Sequence, residues 1–209
     1  MKKAIISGKR QGGLVDAPDP KPVGDWVVVK VHVAPMCTEY KSYINGHPST
    51  SLGHEAAGEV VAVAQPGRVA VGARVAVMPQ YPCGQCVLCA AGEYIHCEDV
   101  VDFAAFSGQD EGRATMAQYL LKPDWLLPSI PAGMSYEHAG MACCGLGPTF
   151  GAFARMGVSA FDTVVDYRAG AGGSGWGDQR RLSRCLGHRS RGASLARGQG
   201  AGVGSRSGA

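Results

Sequence analysis

The chain has 209 residues, 45% of them hydrophobic and 18% charged, with 31 glycines. That is long enough for one well-cored domain plus part of a second. The net charge of +3 conceals a division: residues 1–165 carry 12 Lys and Arg against 15 Asp and Glu, whereas 166–209 carry eight Arg, two Asp and no Lys. A membrane-spanning helix needs roughly 20 consecutive apolar residues, and no such run exists. The opening Met1–Arg10 has too few apolar residues for the core of a secretory signal. A cytoplasmic location is therefore expected, where a reducing milieu makes the eight cysteines candidate metal ligands rather than disulfide partners.

In chain order, Trp26 to Val33 (W-V-V-V-K-V-H-V) reads as a β-branched strand, and Glu59–Ala64 and Arg74–Met78 as shorter ones. The turn residues Gln65-Pro66-Gly67 and Val71-Gly72 lie between them. Ala117–Lys122 is a further strand, ended by Pro123. Short strands with Gly and Pro punctuation predict a barrel-like β domain. A helix is predicted near Ser135 to Ala142, with Ser135 as its N-cap, and a second over Pro148–Met156, ending at Gly157. Asp162–Val165 then opens a new strand. Beyond it the hydrophobic periodicity disappears into Gly, Arg, Ser and Ala.

Cys83, Cys86, Cys89 and Cys97 form a C-x2-C-x2-C-x7-C pattern. Zinc takes four thiolates at tetrahedral corners, and two-residue gaps let a tight turn present neighbouring sulfurs to one ion. Pro82 and Gly84 supply the turn chemistry. Four thiolates close the coordination shell, so this site should be structural. Cys37, just after the long strand, and Gly53-His54-Glu55-Ala56-Ala57-Gly58-Glu59-Val60 are weak signals taken singly.

Together with the four-cysteine lobe, those residues resemble the zinc-containing medium-chain alcohol dehydrogenases, whose G-H-E-x-x-G-x-V signature is complete here. The resemblance covers residues 1–165. It implies a mainly β fold with some α: a GroES-like β-barrel catalytic domain over 1–150 with the structural zinc lobe at 83–97. The start of a Rossmann nucleotide-binding domain follows at 151–165, then an aberrant, disordered tail at 166–209. It also implies a catalytic zinc held by Cys37, His54 and a third residue within Ala142–Gly147. The family's Gly-Cys-Gly segment favours Cys144, with Cys143 as the alternative. Glu55 is the acidic neighbour of the ligand histidine, either supporting it or exchanging as a ligand. Where the family carries a proton-relaying hydroxyl after Cys-x, this chain has Glu39, so either Glu39 or a shifted Thr38 takes that role. Lys41 and Tyr43 read as solvated loop residues.

Two thiolates and an imidazole leave one zinc position open, where the metal lowers an alcohol's pKa ahead of hydride transfer to NAD or NADP. The implied protein is thus a zinc-dependent, NAD(P)-linked alcohol or polyol dehydrogenase with two zinc ions per chain. Its partner is a small alcohol, with no membrane or nucleic acid; the family is homo-oligomeric. No intact glycine fingerprint follows Val165, so this chain is expected to be truncated and inactive. A one-base frame shift after that residue permits G-L-G-P-V-G from the codons of Arg168 to Gly173, the loop expected there. The competing reading is a non-catalytic zinc-binding module whose basic Gly/Arg/Ser tail binds nucleic acid. A redox sensor built on Cys143-Cys144 ranks below it.

Overall fold

The computed structural model describes residues 1–162 and residue 164. The chain begins with a hairpin, β1 (Lys2–Gly8) paired antiparallel with β2 (Gln11–Asp16), Lys2 facing Asp16. No strand is predicted from the sequence at this hairpin. Its turn carries no Asn-Gly or Asp-Gly signal, and Arg10 takes a positive φ of 55° in its place. Next come β3 (Trp26–Val33), α1 (Glu39–Asn45), β4 (Ala56–Ala62) and β5 (Arg74–Val77). After α2 (Val87–Ala90) and α3 (Phe103–Ser107), β6 (Tyr119–Pro123) completes a four-stranded antiparallel sheet ordered β5-β4-β3-β6. Bridges from Lys3 to Ala117, Ile6 to Ser49 and Val75 to Ser129 tie the hairpin and loops to this sheet. The architecture is the mainly β, GroES-like one that the sequence implied.

β3 is the centre of the molecule because both of its faces are buried. Val27 and Val29 join Val60, Val75, Val77, Leu120 and Leu127 on one side. Trp26 and Val28 join Tyr81, Phe103 and Leu121 on the other. The unbroken W-V-V-V run suits that position, since a strand covered on both faces has no polar alternation to show. Gly58 of the G-H-E-x-x-G-x-V signature sits where β4 crosses β3 closely. A Cβ there would lie 2.1 Å from the Lys30 carbonyl oxygen, so only glycine lets the two strands pair in this register.

α4 spans Tyr136–Gly140, shorter than the Ser135–Ala142 helix expected, and the Ser135 side chain caps it by accepting the His138 N–H. A π-type turn over Ala142–Leu146 then leads into α5 (Gly147–Met156), which ends on left-handed Gly157. The expected domain boundary at 150/151 falls inside α5. The Asp162–Val165 strand and the 166–209 tail lie outside the described residues, save Asp162 and Val164. Lys41 and Tyr43 are exposed as expected, but on α1 rather than a loop. No helix among the described residues is long and apolar enough to cross a membrane.

Candidate metal centres

Among the described residues, two clusters of ligand-type side chains emerge, each with donor atoms all within 4.8 Å of one another. The first is Cys83, Cys86, Cys89 and Cys97. Cys86 is the N-cap of α2, so its backbone turns just where the next sulfur must be delivered. Left-handed Gly84, φ 76°, brings the loop against the Trp125 ring, and Tyr94 meets that ring edge-on at 5.6 Å between centroids. Backbone N–H groups point at the sulfurs: Cys86 to Cys83 Sγ at 3.3 Å, Cys83 to Cys97 Sγ at 3.3 Å and Cys89 to Cys86 Sγ at 3.5 Å. The backbone N–H of Gln85, then that of Cys86, holds the Cys83 thiol down at about 7. Burial pushes Cys89 up to about 12. Sulfurs about 2.3 Å from a tetrahedral zinc stand about 3.8 Å apart. The Cys83–Cys89 and Cys86–Cys97 sulfur pairs stand 3.9 and 4.0 Å apart, close to that spacing, and all four donors lie within 4.8 Å of one another, so the donor set fits zinc.

The second cluster is Cys37, His54, Glu55 and Cys144. Topology explains the first three. Cys37 follows the end of β3 and His54-Glu55 precedes the start of β4, and Val33 pairs with Ala57, so an antiparallel pair brings both segments to one end of the sheet. Gly53, φ 85°, makes the turn that swings His54 into place. A Cβ on it would lie 2.3 Å from Thr115 Oγ1. Cys144 arrives from the π-type turn, where Glu55 catches it: Glu55 Oε1 accepts the N–H of Cys144 at 2.8 Å and of Gly145 at 3.0 Å. Cys37 Sγ and Cys144 Sγ are 3.7 Å apart. Cys143 points elsewhere, its thiol 3.5 Å from the Met78 sulfur. Burial, followed by the hydrogen bond shared with Cys37, raises the Cys144 thiol to about 12, and burial raises Cys143 as well.

Glu39 completes the cluster from outside. Its Oε1 lies 2.7 Å from His54 Nδ1, and its Oε2 accepts the Cys37 N–H at 2.8 Å. With Nδ1 occupied, the other ring nitrogen is left for an electrophile, an arrangement common to metal-ligating histidines. The sequence offered Glu39 as a proton relay. The structure places both of its oxygens on the two residues that flank it in the cluster.

A cavity of about 780 Å³ runs from His54 and Gly53 past Met78 and Tyr81 to Arg113, Thr115 and Lys122. None of these beyond His54 was singled out as a site residue. Lys122, a charged residue inside the Tyr-Leu-Leu-Lys-Pro strand, was the one signal that could have drawn attention to this wall.

A β domain of this topology with a four-cysteine lobe and a separate Cys/His/Cys cluster defines a class of zinc-type dehydrogenase domains. The Alcohol dehydrogenase GroES-like domain family matches residues 23–132, more than half of the chain. The chain belongs to the zinc-containing medium-chain alcohol dehydrogenases, a family of oxidoreductases. It is 33% identical to the sorbitol dehydrogenase of Bacillus subtilis over 150 residues, covering 68% of this chain and 41% of that one. Its fold resembles that of an Escherichia coli oxidoreductase/dehydrogenase of unknown specificity involved in membrane biogenesis. There the TM-score is 0.73 at 26% identity, over 90% of this chain and 55% of that one. It also resembles the E. coli CFT073 alcohol dehydrogenase rspB, solved with NADH, with a TM-score of 0.63 at 27% identity, over 78% and 48% of the two chains. The chain spans about two-fifths to a half of these relatives' length.

Proposed function

We propose that this chain carries the zinc-binding catalytic domain of an alcohol or polyol dehydrogenase. Cys83, Cys86, Cys89 and Cys97 hold a structural zinc, and Cys37, His54 and Cys144 hold a catalytic one. The observation that carries the reading is the convergence of Cys37, His54, Glu55 and Cys144, with His54 Nδ1 occupied by Glu39. A zinc ion held there supplies Lewis-acid polarisation of the substrate hydroxyl. Glu39 acts through His54, fixing its tautomer and ring plane. Glu55 holds the Cys144 turn through two N–H bonds and stands close enough to exchange as a fourth ligand. Hydride acceptance by NAD(P) belongs to a nucleotide-binding domain that opens near residues 151–165. The pure 209-residue chain is inactive on this reading, because no intact glycine fingerprint follows Val165. Its partner is a small alcohol in a reducing, cytoplasmic setting, with neither membrane nor nucleic acid involved.

Metal analysis is the direct test. Two zinc ions per chain are expected, with the cobalt-substituted second site changing its visible spectrum on addition of an alcohol. One zinc per chain, with no such response, favours a non-catalytic module instead. Saturable NAD(P)-dependent alcohol oxidation by the pure chain overturns the inactivity.

A further inference from the structure

The cavity beside His54 has a charged inner wall that the metal chemistry does not use. Lys122 is only 1% exposed, yet no carboxylate pairs with it among the described residues. Its Nζ donates to the Gln80 carbonyl at 2.5 Å and sits 3.5 Å from the centroid of the Tyr81 ring. Arg113, an exposed residue at the cavity's mouth, lies over the same ring at 5.6 Å, also with no ion-pair partner among the described residues. Tyr81 is fixed beneath them by the hydrogen bond its hydroxyl donates to the Leu121 carbonyl. Thr115, 4% exposed, lines the same cavity, and its buried Oγ1 has no hydrogen-bond partner among the described residues. A buried hydroxyl without a hydrogen bond costs about 1–3 kcal/mol, which a bound polar ligand removes. Burial, then repulsion from Arg113, holds Lys122 well below the usual lysine value, a penalty that an incoming anion offsets. The cavity also has carboxylates, Asp102 and Asp110, at its exposed side as Arg113 is, and Asp102 Oδ1 already accepts the Ala105 N–H at 3.1 Å, which leaves Lys122 as the buried charge of the wall.

We infer that this cavity selects substrates bearing an oxyanion, a phosphate or carboxylate, which Arg113 and Lys122 bind with a hydrogen bond from the Thr115 hydroxyl while the substrate's alcohol carbon faces His54. A polyol chain has room within about 780 Å³. The inference rests on reading His54 as part of the dehydrogenase centre, and it deepens that reading from "alcohol" to "alcohol carrying an anion".

The test is calorimetric titration of the zinc-loaded chain with inorganic phosphate and, separately, with acetate. Saturable binding of at least one is expected, and which one binds identifies the oxyanion. Removing one charge-assisted contact by R113Q should weaken it roughly tenfold or more, and T115V several-fold. Both substitutions leave the buried lysine in place, and far-UV circular dichroism checks that the fold survives. The H54A variant, lacking the second zinc, should retain the binding. Binding of neither anion overturns the inference. So does binding that is unchanged in R113Q and T115V but lost in H54A, because the anion is then a ligand of the metal. Anion binding in a chain that takes up only one zinc sustains the cavity's charge preference while sinking the dehydrogenase reading, so the two failures are distinguishable.

Discussion

The two clusters achieve similar sulfur spacings by opposite routes. The lobe takes four cysteines from residues 83–97, aims backbone N–H groups at their sulfurs, and touches the rest of the chain through Gly84 and Tyr94 on Trp125 and through Glu93 on Arg155. The second cluster draws donors from segments 107 residues apart and exists only once β3, β4 and the π-type turn are assembled. Closure and self-sufficiency go together in the first, openness and dependence on the whole fold in the second. A metal site that must leave room for a substrate has to borrow its rigidity from the surrounding domain.

The sharpest way to break this contrast is to remove one ligand from each side. C86S should take the chain from two zinc ions to one and loosen only 83–97 to proteolysis, whereas H54A should lose the other ion and leave the lobe intact. Loss of both metals in either variant would show that the sites are not independent. G53A is the next largest change. The left-handed turn and the 2.3 Å approach to Thr115 Oγ1 leave no room for a methyl, so about 3 kcal/mol of stability should go. Denaturant midpoints measure this, and metal analysis should find the lobe's zinc retained.

A subtler probe is E39Q, which keeps the shape beside His54 but removes the charge. Chelator competition should show the second site's zinc affinity falling about 10–100-fold, with the lobe unchanged. The smallest effect concerns the metal-free chain. With Cys83 near 7 and Cys144 near 12, Cys83 is largely thiolate just above neutrality while Cys144 remains a thiol. Iodoacetamide labelling followed by peptide mass spectrometry should find Cys83 modified first, its rate climbing as pH rises through about 7. Equal labelling of the two cysteines would remove the electrostatic distinction.

The same contrast governs what could be read in advance. The lobe was legible because its ligands sit in one short pattern, and β3 because a strand buried on both faces spells a continuous apolar run. The first residue of α5 and the shortening of α4 depend on the π-type turn between them, which has no sequence signature. α1 buries no residue, so there was no apolar stripe to find. Glu39's contact with His54 hangs on the helix start turning its carboxylate inward. The cavity wall was invisible for a similar reason: Tyr81, Arg113, Thr115 and Lys122 belong to no motif and meet only through the sheet.

The bond from Glu55 to the Cys144 turn also orders events in time. Synthesis runs from the N-terminus, and the lobe's four thiols are complete once residue 97 has been made. At that moment Cys37, His54 and Glu39 exist, but their sheet lacks β6 and their third sulfur has not been translated. On the two-zinc reading proposed above, the first metal can therefore be captured on a growing chain, by a few residues acting alone. The second must wait for Glu55 to receive a segment made 89 residues later. On that reading the position of Cys144 in the chain makes filling of the open site a late event, after the barrel around it has closed.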